Sequence, residues 1–404
     1  MRDALRPMPR SATNWFALAF AGLCASLIGL GIGRFAYVPL LPLMIDSGWA
    51  NAAGAAQIAA ANLVGYLVGS ATAHRLALRF GAAPVIRYAM LAVLLSLLAC
   101  SVNVGVAWLW VWRLVAGASG GILMILAAPF LMRQVPANVR GKAIGVVFAG
   151  IGVGIVFSGL AVPAIGAANL AYAWLLLAAI VALGMLLAWR KFVTPKHTPE
   201  THIVPPALPA QTFLPRGALL ALLCAYVLDA IGYLPHTVFW VEYLVHGLGK
   251  SLAIGGAFWA VFGAGAALGP LLSGFVADRL GFRRTLVGCF VFKAVAVALP
   301  LISTSMPSLF VSSFMVGALT PGMVAVASGR AIEIAGPAAH QRNWAMMTFF
   351  YALVQAVGGY SMAAVYGATH SFPLLFSVAA GALLIAAVIV AIGRDPLPTA
   401  AVRA

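Results

Sequence analysis

Acid is what this sequence has least of. Its 404 residues include 8 Asp and Glu against 24 Lys and Arg, for a formal net charge of +16. Charged residues of both signs make up 8% of the chain, where a soluble domain carries about 25%. A water-facing surface for a chain of this length cannot be built from so few charges. Cysteine is scarce as well. Cys24, Cys100, Cys224 and Cys289 each lie inside an apolar run, with no metal-ligand spacing between them, which argues against a disulfide or zinc framework. The sequence has no Gly-x-x-x-x-Gly-Lys-Ser/Thr phosphate loop, so ATP is not expected to drive it. It has no His-Glu-x-x-His, no paired carboxylates and no Ser-His-acid set within its apolar runs, which argues against an intramembrane enzyme. Neither a cofactor nor a metal is expected.

What the chain does have is apolar length. It is 63% hydrophobic, with a mean hydropathy of +1.04. Twelve runs are long enough to span a bilayer, at 14–45, 53–76, 82–103, 106–134, 140–163, 168–191, 216–245, 252–280, 284–303, 307–335, 341–367 and 371–393. The fold class this implies is an all-α polytopic membrane protein. The basic residues fall between these runs and form no patch with interleaved aromatics, so the positive charge reads as membrane orientation and not as nucleic-acid binding. With the N-terminus cytoplasmic, the cytoplasmic side receives every loop Lys and Arg except Lys250, a bias of about twenty to one. Arg34, Arg113 and Lys293 are left within spans. The expected location is a bacterial-type cytoplasmic (inner) membrane with both termini inside. The basic start (Arg2, Arg6, Arg10) leads into a long run with no small-residue cleavage site, which reads as a retained first span.

The segment 190–216 carries Pro195, Pro199, Pro205, Pro206, Pro209 and Pro215 and reads as a cytoplasmic linker. It divides the chain into a six-span unit at 1–189 and another at 217–404. The halves echo each other at an offset near 200: Ile32-Gly33-Arg34 answers Ile231-Gly232-Tyr233, His74-Arg75-Leu76 answers Asp278-Arg279-Leu280, and Gly117 answers Gly317. Two related bundles around a midplane site is a transporter architecture. From Trp15 to Ile45 the sole charge is Arg34, beside Gly29, Gly31 and Gly33. An arginine near the bilayer centre costs about 2.5–3.5 kcal/mol on insertion scales, so it must face a polar cavity or a partner.

Gly274-Phe-Val-Ala-Asp278-Arg279-Leu-Gly281-Phe-Arg283-Arg284 resembles the loop signature of the major facilitator superfamily, placed after the eighth span as in that family. The first-half copy is degenerate, with His74 where the acid belongs and Arg75 beside it. Arg113-Leu-Val-Ala-Gly117-Ala-Ser-Gly-Gly121 is similar to the family's second signature, and Gly31-Ile-Gly-Arg-Phe-Ala-Tyr-Val-Pro-Leu-Leu-Pro-Leu-Met44 to the first span of its YbfB/YjiJ branch. The resemblance implies two pseudo-symmetric six-helix bundles with spans 1, 4, 7 and 10 around a central cavity. It also implies that His74, Arg75, Gly274, Asp278, Arg279, Gly281, Arg283 and Arg284 form the conformational gating motif.

Under that arrangement Arg34, Tyr37, Arg113, Tyr233 and Thr320 are the candidate substrate-binding residues, and Asp229 and His236 the candidates for proton coupling. Arg113 either contacts substrate or braces spans 1 and 4. His236, after Pro235, either moves a proton or bonds a carbonyl freed by the broken helix. Lys293, in a peripheral helix, is expected to snorkel, and Asp46 and Glu242 to be solvated. Asp229 is expected to pair with Arg34, about 7.5 Å away in depth. An anionic substrate would displace it and leave it to take up a proton. The function implied is proton-coupled secondary transport of a small organic anion by alternating access, with substrate, protons and lipid as the partners of a monomer; the alternative is multidrug or metabolite efflux.

The topology is testable with reporter cysteines. A membrane-impermeant maleimide added to intact cells should label a cysteine at Lys250 and miss one at Lys196. Labelling at Lys196 would end the twelve-span reading.

Overall fold

A computed structural model describes residues 14–136, 139–166, 168–193 and 217–393. The described residues contain 12 helices long and apolar enough to cross a membrane. They are Trp15–Asp46, Ala52–Phe80, Ala82–Cys100, Val106–Met132, Arg140–Gly166 and Leu170–Trp189 in the first half. In the second half they are Ala218–Gly247, Leu252–Leu280, Phe282–Ile302, Met306–Ala335, Arg342–Thr369 and Phe372–Ile392. They are numbered spans 1 to 12. Each agrees with its expected run to within a few residues. Of the expected linker, residues 194–216 lie outside the described residues.

Each half is a six-helix bundle, and the internal repeat is written into its packing. Span 2 packs on span 4, and span 8 on span 10. A Cβ on Gly69 would overlap the Ala118 carbonyl, and one on Gly269 would overlap that of Ala318. Both residues of the second contact lie about 200 positions beyond those of the first, so the same backbone-to-backbone approach is made twice. Small residues permit this closeness where a bilayer supplies no hydrophobic drive between helices. The basic loops repeat as well. Gly81 and Gly281 close spans 2 and 8 at φ of 83° and 79°, a conformation that suits a residue without Cβ. Arg87 donates to the terminal Trp189 carbonyl of span 6 at 3.2 Å, and Arg283 donates to Ala391 of span 12 at 2.9 Å.

Spans 1 and 7 are both broken near mid-membrane. In span 1 an α-helix at Asn14–Ser26 widens into a π-turn at Leu27–Ile32 and resumes at Tyr37–Asp46. In span 7 the α-helix Ala218–Gly232 gives way to π-turns at Pro235–Phe239 and Tyr243–Gly247. Proline explains both positions. Pro39 and Pro235 cannot donate to the carbonyls of Phe35 and Ile231, and their rings crowd the preceding turn.

The halves meet at the midplane and toward the end away from the basic loops, termed the outer end. Spans 5 and 8 touch where Gly152 faces Gly263 and Gly159 faces Gly256. Trp110 donates to the Tyr360 hydroxyl at 2.7 Å, and His246 meets Asp46 at 2.8 Å. Near the basic ends of spans 5 and 8, Gly141, Gly145 and Gly274 have open space around them. The contacts that join the described helices of the two halves thus include a set at the outer end.

Candidate functional site

The break in span 1 frees backbone carbonyls inside an apolar slab, where an unsatisfied group costs several kcal/mol. The donors that take them come from spans 4 and 2. Arg113, 1% exposed, donates from Nη1 to the Gly33 carbonyl at 2.7 Å and from Nη2 to that of Arg34 at 3.2 Å. Asn62 donates to the same Gly33 carbonyl at 3.2 Å and to the Arg113 carbonyl at 3.1 Å. The Arg113 guanidinium lies over the Tyr37 ring, 4.9 Å from its centre, and the Tyr37 hydroxyl donates to the Ala55 carbonyl at 2.9 Å. Of the two roles open to Arg113, the geometry is that of the brace. Tyr37, 2% exposed, belongs to the same brace.

With the carbonyls satisfied by Arg113, the Arg34 guanidinium is left to point across the seam between the halves. It is half-buried, and Nη2 donates to the Tyr233 hydroxyl at 2.7 Å, joining the two helix breaks. Gln355 of span 11, with its amide oxygen turned inward, accepts from both Arg34 and Tyr233. The rings of Phe35 and Tyr66 lie 4.9 Å and 5.5 Å from the guanidinium carbon. Every partner of Arg34 in this shell is neutral. On its outer side the space is a void of about 20 Å³ lined by Arg34, Asn62, Arg113 and Thr237 among others, room for about one water. Access from outside is closed.

Asp229 is not Arg34's partner. Its Oδ1 accepts from Lys293 Nζ at 2.7 Å, with both side chains fully buried. The Tyr351 hydroxyl donates to its Oδ2 at 3.4 Å. Lys293 does not snorkel: three turns of span 9 separate it from the basic end, and an acid stands opposite at its own depth. The pair still touches Arg34's surroundings, because Lys293 Nζ lies 5.3 Å from the centre of the Tyr233 ring. Tyr233 therefore carries one cation on its hydroxyl and another on its face.

The remaining expected residues divide. His236 is fully buried and stacks on Trp240 at 4.3 Å. Ser312 spends its hydroxyl hydrogen on the Ala296 carbonyl at 2.6 Å, so His236 Nε2, 2.9 Å away, must be the donor. His236 thus packs on Trp240 with its Nε2 hydrogen directed to Ser312. Thr320 is partly exposed and donates back to the Val316 carbonyl within its own helix. His74 is half-buried, and Arg75, Asp278 and Arg284 are exposed at the basic end, where Arg279 lies 3.5 Å from the Phe275 ring centre. Glu242 is not solvated: it is 1% exposed, accepts from the Tyr366 hydroxyl and lies 2.9 Å from His246 Nδ1. Gln355 and Tyr351 are the site residues that sequence reading underrated. The available signal was their position, polar residues at mid-depth in a span facing the seam.

Residues 26–391 match the model of a family described as "Uncharacterised MFS-type transporter YbfB". No curated protein matches the chain. Among solved structures, the chain is similar to a D-xylose-proton symporter, with a TM-score of 0.72 at 13% identity over 94% of this chain and 97% of the other. It is also similar to a peptide transporter described in complex with sulfate, with a TM-score of 0.73 at 14% identity over 94% of each chain.

Removing one partner of a buried ion pair costs about 3–5 kcal/mol, whereas replacing both is often close to neutral. Lys293→Met should therefore lower the melting temperature of the purified protein sharply, and Asp229→Asn combined with Lys293→Met should recover most of the loss. Additive losses in the double variant would mean that the two side chains do not act as a pair.

Proposed function

The chain belongs to the YbfB-type family of the major facilitator superfamily, and on that footing we propose that this multi-pass membrane transporter carries a small organic anion together with protons. The observation that carries the reading is Arg34. A half-buried guanidinium at mid-membrane, on the seam of two bundles, is surrounded by a hydroxyl, an amide and two aromatic rings but by no carboxylate. A carboxylate of the substrate is the natural complement, bound by two parallel hydrogen bonds with the rings as walls. Tyr233 and Gln355 hold the fork until substrate replaces them.

The electrostatics of the surroundings point the same way. Arg34, Arg113 and Lys293 face one acid, Asp229. Cation efflux, the alternative, would need an acid toward the cavity, and the one available is committed to Lys293. Coupling to protons follows from the same inventory. Protonation of Asp229 cancels its charge, leaves Lys293 as an uncompensated ammonium beside Tyr233, and raises the attraction for an anion at Arg34. Proton and anion then bind with positive coupling, which is reciprocal and is the logic of symport. This replaces the expected direct exchange between Arg34 and Asp229 with coupling through charge and through Tyr233.

A thermal-shift screen of small organic acids against the purified protein should find stabilising ligands, because a ligand that binds the folded state alone raises its stability. Their affinity should strengthen as pH falls in the wild type. In Asp229→Asn, which resembles the protonated state, binding should be tight and flat with pH. An unchanged pH slope in Asp229→Asn would remove the coupling mechanism.

A further inference from the structure

Outside the central site, the described residues hold one other cluster in which the two halves exchange titratable groups. It lies at the outer end. His246 of span 7 places Nδ1 2.9 Å from Glu242 Oε1 and Nε2 2.8 Å from Asp46 Oδ1. The first contact lies within span 7, one helical turn apart. The second crosses the seam to span 1, and the two residues stand at equivalent positions of the internal repeat. Tyr366 of span 11 donates to the same Glu242 oxygen at 2.9 Å. Glu242 is 1% exposed, and its Oε2 has no hydrogen-bond partner. Asp46 and His246 remain open to water, with side chains 53% and 35% exposed. The other titratable groups around the cluster are Tyr243 on span 7, His370 on span 11, whose ring is 5.7 Å from that of Tyr366, and Lys250 in the loop beyond span 7.

We propose that Asp46, His246 and Glu242 form a proton-binding site that is complete only when the outer mouth is closed, so that closure takes up one proton from the outside. Hydrogen counting leads to this. Each of the two imidazole contacts to a carboxylate oxygen needs a hydrogen between the atoms, and a neutral imidazole carries one N–H. The second hydrogen must come from solution, whether it rests on the ring or on a carboxyl oxygen. When the halves part at the outer end, the Asp46 contact is lost and the Glu242 contact within span 7 stays. One N–H then suffices, and the additional proton returns to the outside. Glu242, sealed from water and held by Tyr366, keeps the imidazole aimed at the seam. This site is distinct from Asp229 in that its proton enters and leaves on one side. It sets the balance between open and closed by external pH and carries nothing across.

By linkage, the open-to-closed ratio at the outer mouth should rise up to tenfold per pH unit over the range in which the site gives up its proton. The mouth can be read by double electron–electron resonance between spin labels at Val104→Cys and Met306→Cys, exposed positions at the outer ends of opposite halves. In the otherwise wild-type protein, the fraction at long distance should grow between pH 5 and pH 9. Asp46→Asn removes the requirement: its amide can donate to Nε2 of a neutral His246, so closure should persist and lose its pH dependence. Because Asp46 lies at the surface, this variant should fold. A distance distribution that ignores pH in the wild type, or one that shifts equally in Asp46→Asn, would overturn the proposal. No substrate is present in the measurement, so its outcome is independent of whether Arg34 binds an anion.

Discussion

A helix broken inside a bilayer must find hydrogen-bond donors for its freed carbonyls, and in this protein Arg113 supplies them. That constraint explains why two arginines stand at one depth and do different things. Arg113 lends its fork to the carbonyls of Gly33 and Arg34. The broken turn it stabilises turns the Arg34 side chain away from span 4 and onto Tyr233. Had span 1 run on as a regular helix, its carbonyls would have been satisfied internally and Arg113 would have had no fixed partner. The prolines cause the break, the brace makes it tolerable, and the cation on the seam follows from both.

The second half solves the same problem with other residues, which is why the site is asymmetric. Span 7 breaks at the equivalent place, after Gly232, but the position corresponding to Arg113 is Ser313. Its hydroxyl accepts from Trp240 at 2.7 Å, and no cation enters. The charge of the second half sits one layer away, in the Lys293–Asp229 pair, where it is neutralised within the bundle. The first half therefore offers the charge and the second half the polar and titratable surroundings.

Much of this was legible in the sequence. The twelve spans, the internal repeat and the position of Arg34 follow from apolar length, from glycine spacing and from the isolation of one charge. Pairing was not legible. Asp229 and Arg34 sit at compatible depth, but depth along two helices says nothing about the direction each side chain takes around them. Lys293 looked peripheral because the sequence cannot show that span 9 turns one face onto span 7. Asp46 is solvated as its place near a span's end suggests, but Glu242, equally near an end, is not. The π-turns of span 7 rotate Glu242 inward, and turns of that kind have no signature in residue order. His236 could be read from the sequence either as a proton carrier or as a structural residue after Pro235, and the structure places it stacked on Trp240 and hydrogen-bonded to Ser312.

The claim on which the account rests is that Arg34 is free to bind an anion because Arg113 is not. It is tested most directly by calorimetric titration of one stabilising organic acid into the wild type, Arg34→Lys and Arg34→Ala. A lysine keeps the charge but loses the planar fork, and a charge-assisted hydrogen bond is worth about 1.5–3 kcal/mol. Arg34→Lys should therefore fold normally and bind about ten- to a hundredfold more weakly, with Arg34→Ala weaker still. Wild-type affinity in Arg34→Ala would contradict the account.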